Sequence, residues 1–130
     1  MLTTENLTGV WVSITIPWDS DGNFDEATFR ENAAKLVESG VHGIYTTGST
    51  GEFHALDFDE FERLVDAFAA ETVGKIPTQV GCSWINTRDS IRMARYAVDR
   101  GFDGVQVAVP FWMELKDDEQ IFGIQRKTEF

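Results

Sequence analysis

The chain has 130 residues, 42% of them apolar and 25% charged, which suits one modest hydrophobic core and excludes disordered and collagen-like classes. Eleven Lys and Arg against 22 Asp and Glu leave a net charge of −11, which repels phosphate backbones and anionic lipid, so nucleic-acid and membrane-surface roles are set aside. The single cysteine, Cys82, permits no internal disulfide and makes no compact zinc-binding set with His42 and His54, which points to a reducing cytoplasm and no metal.

Residues 1–8 show neither the basic nor the apolar segment of a signal peptide, and no apolar run nears the ~18 residues of a spanning helix, so the chain reads as soluble and unprocessed. Short β-rich runs occur at 10–16, 41–45, 77–81 and 105–109, and each of the first three leads into an amphipathic stretch. The first predicted helix, 25–39, sets Phe29, Ala33, Leu36 and Val37 on one face with Arg30, Glu31 and Lys35 opposite, and Gly40 is placed to end it. The second, 57–72, turns Phe58, Phe61, Leu64, Val65 and Phe68 inward and leaves Asp59, Glu60, Glu62, Arg63 and Asp66 as a solvated face. In the third, 87–99, Ile91, Ala94, Ala97 and Val98 face inward, and Gly101 is its stop. Strand starts about 30 residues apart match one βα repeat, so parallel strands joined by right-handed crossovers are expected. Asp117, Asp118 and Glu119 suit the first turn of a fourth helix, which then breaks off. The domain reading is one unit over 1–120 with a truncated or aberrant tail over 121–130.

Gly48-Ser49-Thr50-Gly51-Glu52 falls between the second strand and the second helix, and strand C-termini are where α/β proteins bind ligands. Gly48 and Gly51 permit positive φ and close ligand approach, so consecutive N–H groups can converge on an anion while Ser49 and Thr50 add hydroxyl donors; a carboxylate fits such a set. On local spacing alone, the plainer reading is a tight βα turn with Ser or Thr capping the helix. The loop has neither the G-x-x-x-x-G-K-[ST] nor the G-x-G-x-x-G pattern, and no cofactor is indicated.

The loop is framed by Gly43-Ile44-Tyr45-Thr46-Thr47 before it and residues 53–56 after it, and here the sequence resembles the dihydrodipicolinate synthase/N-acetylneuraminate lyase family. Thr15-Ile16-Pro17-Trp18 is similar to that family's first-strand end, Gly101-Phe102-Asp103-Gly104 to its entry to strand four, and Val109-Pro110-Phe111-Trp112 to its exit. The resemblance implies a (β/α)8 TIM barrel, here about its first four βα units: a partial barrel. It also implies lyase chemistry, in which a lysine forms a Schiff base with the keto group of pyruvate or a related 2-oxo acid. The protonated imine is the electron sink, and fixed donors hold the substrate carboxylate. By the same resemblance Thr50 binds the carboxylate through its hydroxyl and N–H, Ser49 shares that task or relays a proton, and Gly48 and Gly51 shape the turn. Glu52 steadies the loop or the helix start.

Two places depart from the dipicolinate synthase branch. Phe111 and Trp112 stand where that branch has Pro-Tyr-Tyr with a relay tyrosine, and Gly81-Cys82-Ser83-Trp84-Ile85-Asn86-Thr87 replaces a small Gly-[Ala/Ser]-Asn pattern, with Trp84 expected to crowd or reshape the mouth. These favour a sugar-acid or other 2-oxo-acid lyase or dehydratase over the lysine-biosynthesis synthase. A complete barrel takes about 250 residues, and the family's strand-five tyrosine and strand-six Schiff-base lysine have no equivalent here. Lys35, Lys75, Lys116 and Lys127 lack the apolar strand setting that lowers a lysine's pKa, so the chain alone is expected to be inactive. His54 reads as a loop hydrogen-bonder, His42 as structural and Cys82 as a small buried side chain. Trp11, Trp18, Trp84, Phe111 and Trp112 read as lining for an apolar substrate part or, equally, as core or subunit contacts. The expected partners are a small 2-oxo acid and, because a half-barrel leaves edge strands open, further copies of the chain or a C-terminal half-barrel. The alternative is a non-catalytic half-barrel that pairs with a partner chain or with full-length subunits.

Overall fold

The computed structural model describes residues 2, 3, 5, 7–109, 116 and 118. Strands and helices alternate: β1 Trp11–Ser13, α1 Glu26–Glu38, β2 Gly43–Thr46, α2 Phe58–Thr72, β3 Thr78–Gly81, α3 Thr87–Asp99 and β4 Gly104–Gln106. All three strand pairings are parallel and the sheet order is β1-β2-β3-β4, the order of a barrel wall laid down one βα unit at a time. The predicted exit of strand four at Pro110, Phe111 and Trp112, and the tail over 121–130, lie outside the described residues.

Each helix starts on a cap that its sequence supplies. Asp25 accepts from the Thr28 N–H and Asn86 from the Asp89 N–H. At α2, Asp57 accepts from the Glu60 N–H at 2.8 Å while the Glu60 carboxylate accepts from the Asp57 N–H at 3.0 Å, a reciprocal capping box. Gly40 and Gly101 follow α1 and α3 at φ +80° and +82°, where a side chain is strained, so the predicted stops are the actual ones.

The core lies between the helices and one face of the sheet. Ile14, Ile44, Val80 and Cys82 of the sheet meet Phe29 and Ala33 of α1, Phe61, Leu64, Val65 and Phe68 of α2, and Met93, Ala94 and Ala97 of α3. The stripes of α1 and α2 are those the spacing predicts. On α3, Ser90 and Met93 are inside instead of Val98, which is 50% exposed. Val98 borders a surface hollow with Phe102 and Val105, beside the last described strand, so no described element covers it. Arg30 reaches Glu26 within α1 and Glu71 of α2 at 3.0 Å each, and Arg100 and Tyr96 both bond Asp66 of α2, surface contacts that contribute little individually.

Side chains alternate across strands, so the opposite face carries Trp11, Ser13, Tyr45, Gln79 and Gln106, interspersed with Gly43, Gly81 and Gly104. Among the described residues, no helix is long and apolar enough to cross a membrane.

Candidate functional site

At the C-terminal ends of β2, β3 and β4, Thr47, Gly48, Ser49, Gly81, Ser83 and Gln106 join Phe53, Val107 and Ala108 around an open cavity of about 250 Å³. None of these side chains is ionisable, so an anion held here meets hydroxyl and amide dipoles rather than formal cations.

The loop's backbone differs from the expectation drawn from its glycines. The left-handed residues are Thr47 at φ +52° and Glu52 at φ +46°, which flank Gly48 and Gly51, and neither glycine has positive φ. The glycines are needed for room. A Cβ on Gly51 would lie 2.8 Å from the Thr47 nitrogen, and one on Gly81 only 2.0 Å from the Thr47 carbonyl oxygen. A β-branched residue at positive φ costs on the order of 1–3 kcal/mol and persists only where its surroundings enforce it. Here the Thr47 hydroxyl donates to the Gly81 carbonyl at 2.8 Å, and the bare Gly81 admits that close approach.

Within the turn, the Glu52 N–H donates to the Ser49 carbonyl at 3.2 Å and the Phe53 N–H to the Gly48 carbonyl at 3.5 Å. Among the described residues, no protein acceptor takes the N–H groups of Ser49 and Thr50. Trp18 Nε1 donates to Glu52 Oε2 at 3.4 Å, which makes Glu52 a staple between the loop and the segment after β1. Ser49 borders the cavity; Thr50 is exposed and not part of its wall, and Gly51 is buried.

Sequence reasoning missed Ser83, Gln79 and Gln106. The Ser83 hydroxyl accepts from the Ala108 N–H at 2.8 Å and so clamps β3 to the chain after β4. Gln106 Nε2 donates to Gln79 Oε1 at 2.8 Å on the uncovered face of the sheet. A glutamine within each of two short β-rich runs was the available signal.

Trp84 does not crowd the mouth. It lines a separate cleft of about 100 Å³ with Phe58, Phe61, Asp89 and Arg92, between the N-terminal ends of α2 and α3, and its backbone N–H donates to Ser90 Oγ at 3.0 Å. His54 is exposed, with its ring edge-on to Phe53, and lies outside the cavity wall. His42 Nδ1 accepts from the Val10 N–H at 3.0 Å at the far end of β2, a structural role as read. Cys82 is buried against the helices, and burial pushes its thiol up to about 12, which removes it as a nucleophile at neutral pH. Lys35 pairs with Glu31 and Lys75 with Glu71; neither lines the cavity, Lys116 is exposed and Lys127 lies outside the described residues.

A parallel βα wall that ends in a cavity of uncharged polar groups at its strand C-termini defines part of a TIM barrel. Residues 6–121 match the Dihydrodipicolinate synthetase family, and the chain belongs to that family, a family of lyases. It is 39% identical over 106 residues to 4-hydroxy-tetrahydrodipicolinate synthase of Methanospirillum hungatei, a match covering 80% of this chain and 36% of that relative. The solved structure of PhdJ bound to a substrate intermediate superposes with a TM-score of 0.89 at 31% identity, over 98% of this chain and 42% of that one. YagE of E. coli K12, solved in complex with pyruvate, superposes with a TM-score of 0.89 at 23% identity over 95% of this chain and 41% of that one, a likeness of fold. The chain therefore spans little more than a third of the length of the curated relative, 36%, and its sheet is a partial barrel.

Proposed function

We propose that this chain supplies the carboxylate-holding part of a cytoplasmic Schiff-base lyase or dehydratase acting on pyruvate or a related 2-oxo acid. The N–H groups of Ser49 and Thr50 and their hydroxyls hold the substrate carboxylate, Gly48 and Gly51 let the backbone close around it, and Ser49 is placed to relay a proton. The observation that carries this reading is the cavity at the strand ends, whose wall offers hydroxyl and amide groups without a formal charge and is backed by the strained Thr47. Fixed donors aimed at a carboxylate orient the keto carbon for attack by an amine, which is the positioning such chemistry needs.

The amine comes from outside the described cavity wall, which contains no lysine among the described residues. Borohydride added to the purified chain with pyruvate should therefore trap no lysine adduct detectable by mass spectrometry. A reduced adduct on Lys35, Lys75, Lys116 or Lys127, or aldol cleavage that Thr50→Ala abolishes, would contradict the assignment.

A second reading is favoured by the two sides of the sheet. Val12, Ile14 and Leu36 line a hollow beside β1, and Val98, Phe102 and Val105 line one beside β4. On this reading the chain pairs through those sides with further copies, with a C-terminal half-barrel or with full-length subunits. Sedimentation velocity should show concentration-dependent association; a monomer throughout the accessible range would remove this reading.

A further inference from the structure

The uncovered face of the sheet is where a barrel's interior layers of branched apolar side chains are expected, yet β3 and β4 place two carboxamides there. In the register, Gln79 stands opposite Gly104 and Gly81 opposite Gln106. Each glutamine thus faces a glycine on the neighbouring strand, and the two amides lie across the bare positions and meet on the diagonal, Gln106 Nε2 donating to Gln79 Oε1 at 2.8 Å. A Cβ on Gly104 would come within 3.4 Å of Gln79 Cγ, so the glycine makes room for this arrangement. Gln79 is 9% exposed and fixed, whereas Gln106 forms part of the cavity wall. With its nitrogen engaged by Gln79, Gln106 turns Oε1 toward the loop, 3.8 Å from where a Cβ of Gly48 would stand.

From this geometry we infer that Gln106 is a specificity-determining residue that selects 2-oxo acids bearing a hydroxyl near the keto carbon, and that Gln79 is the positioning residue that aims it. The inference rests on the reading of the Gly48–Gly51 loop as the carboxylate site. Ser49 and Gln106 border the same cavity with Gly48 between them, so a short acid held by its carboxylate at the loop turns its other end over Gln106. There Oε1 accepts from a ligand hydroxyl. A methyl group in that place leaves the carbonyl desolvated without a partner, and sites built around a hydrogen bond reject the analogue that lacks it.

The test compares pyruvate with hydroxypyruvate, read from amide chemical shifts of residues 48–51 in the 130-residue chain. Hydroxypyruvate should bind about tenfold more tightly than pyruvate. Gln106→Leu should erase that preference, so that the two acids bind with equal affinity, and Gln106→Met, of closer shape, serves where the Leu variant does not fold. Gln79→Leu should weaken the preference in the unsubstituted background and have no effect in Gln106→Leu, a coupling that a purely structural role would not produce. Equal affinity of the unsubstituted chain for the two acids, or a preference that survives at Gln106→Leu or Gln106→Met, overturns the inference alone. Binding of both acids unchanged in Ser49→Ala/Thr50→Ala overturns the loop reading, and no response of the loop amides to either acid overturns both.

Discussion

The two faces of this four-stranded sheet follow different rules. The face under the helices is sealed: Ile14, Ile44, Val80 and Cys82 pack against Phe29, Phe61 and Phe68. The other face carries Ser13, Tyr45, Gln79 and Gln106 among glycines and ends in the cavity where the donor loop sits. Packing and the candidate site are thus separated by the pleat, since residues one position apart in β3 face opposite ways. Val80 is core, whereas Gln79 supports the wall of the cavity.

Substitutions on the two faces should differ accordingly. Phe68→Ala on the sealed face removes a fully buried ring and should cost about 4 kcal/mol in urea unfolding. Gly81→Ala should cost on the order of 3 kcal/mol and also displace the loop, because its Cβ would meet the Thr47 carbonyl; loop amide shifts altered beyond the substituted residue would show the coupling. Burial raises the Cys82 thiol from about 9.0 to about 12, so between those values the unfolded chain loses its proton first. Stability should therefore fall as pH rises through that window, this thiol contributing up to roughly 1.4 kcal/mol per pH unit, with a smaller loss in Cys82→Ala. Thr46 Oγ1 is buried without a hydrogen-bond partner among the described residues, and Thr46→Val should stabilise by about 1 kcal/mol. Gln79→Leu, on the open face, should stay within about 1 kcal/mol. A Gln79→Leu penalty as large as that of Phe68→Ala would break the contrast between the faces.

The sealed face was legible in the sequence because burial imposes a period. Phe29, Ala33, Leu36 and Val37 repeat at helical spacing, as do Phe61, Leu64, Val65 and Phe68 of α2. Where periodicity lost its partner, the reading failed: Val98 looks inward on a helical wheel, but the packing side of α3 is set by Ser90, Met93, Ala94 and Ala97. The loop was legible as a βα connection and less so in its geometry. Gly48 and Gly51 marked the loop, yet the positive φ angles belong to Thr47 and Glu52; Gly51 is required for room, since a Cβ there would meet the Thr47 nitrogen and the Ile14 carbonyl, and not by its own torsion. Trp84 shows the same limit, since which way a residue just past a strand end turns depends on the helices beside it. Gln106 could be placed only once the register set it against Gly81.

A cavity bounded by Gly48, Ser49, Gly81 and Ser83 that holds a carboxylate by uncharged donors should show it when crystals are grown with the acid. A crystal structure of the chain grown with pyruvate tests it most directly. The pyruvate carboxylate should lie within hydrogen-bond distance of the Ser49 hydroxyl and of the Ser49 and Thr50 N–H groups. Pyruvate bound in the cleft beside Trp84 and Arg92, with the loop cavity holding only solvent, would contradict it.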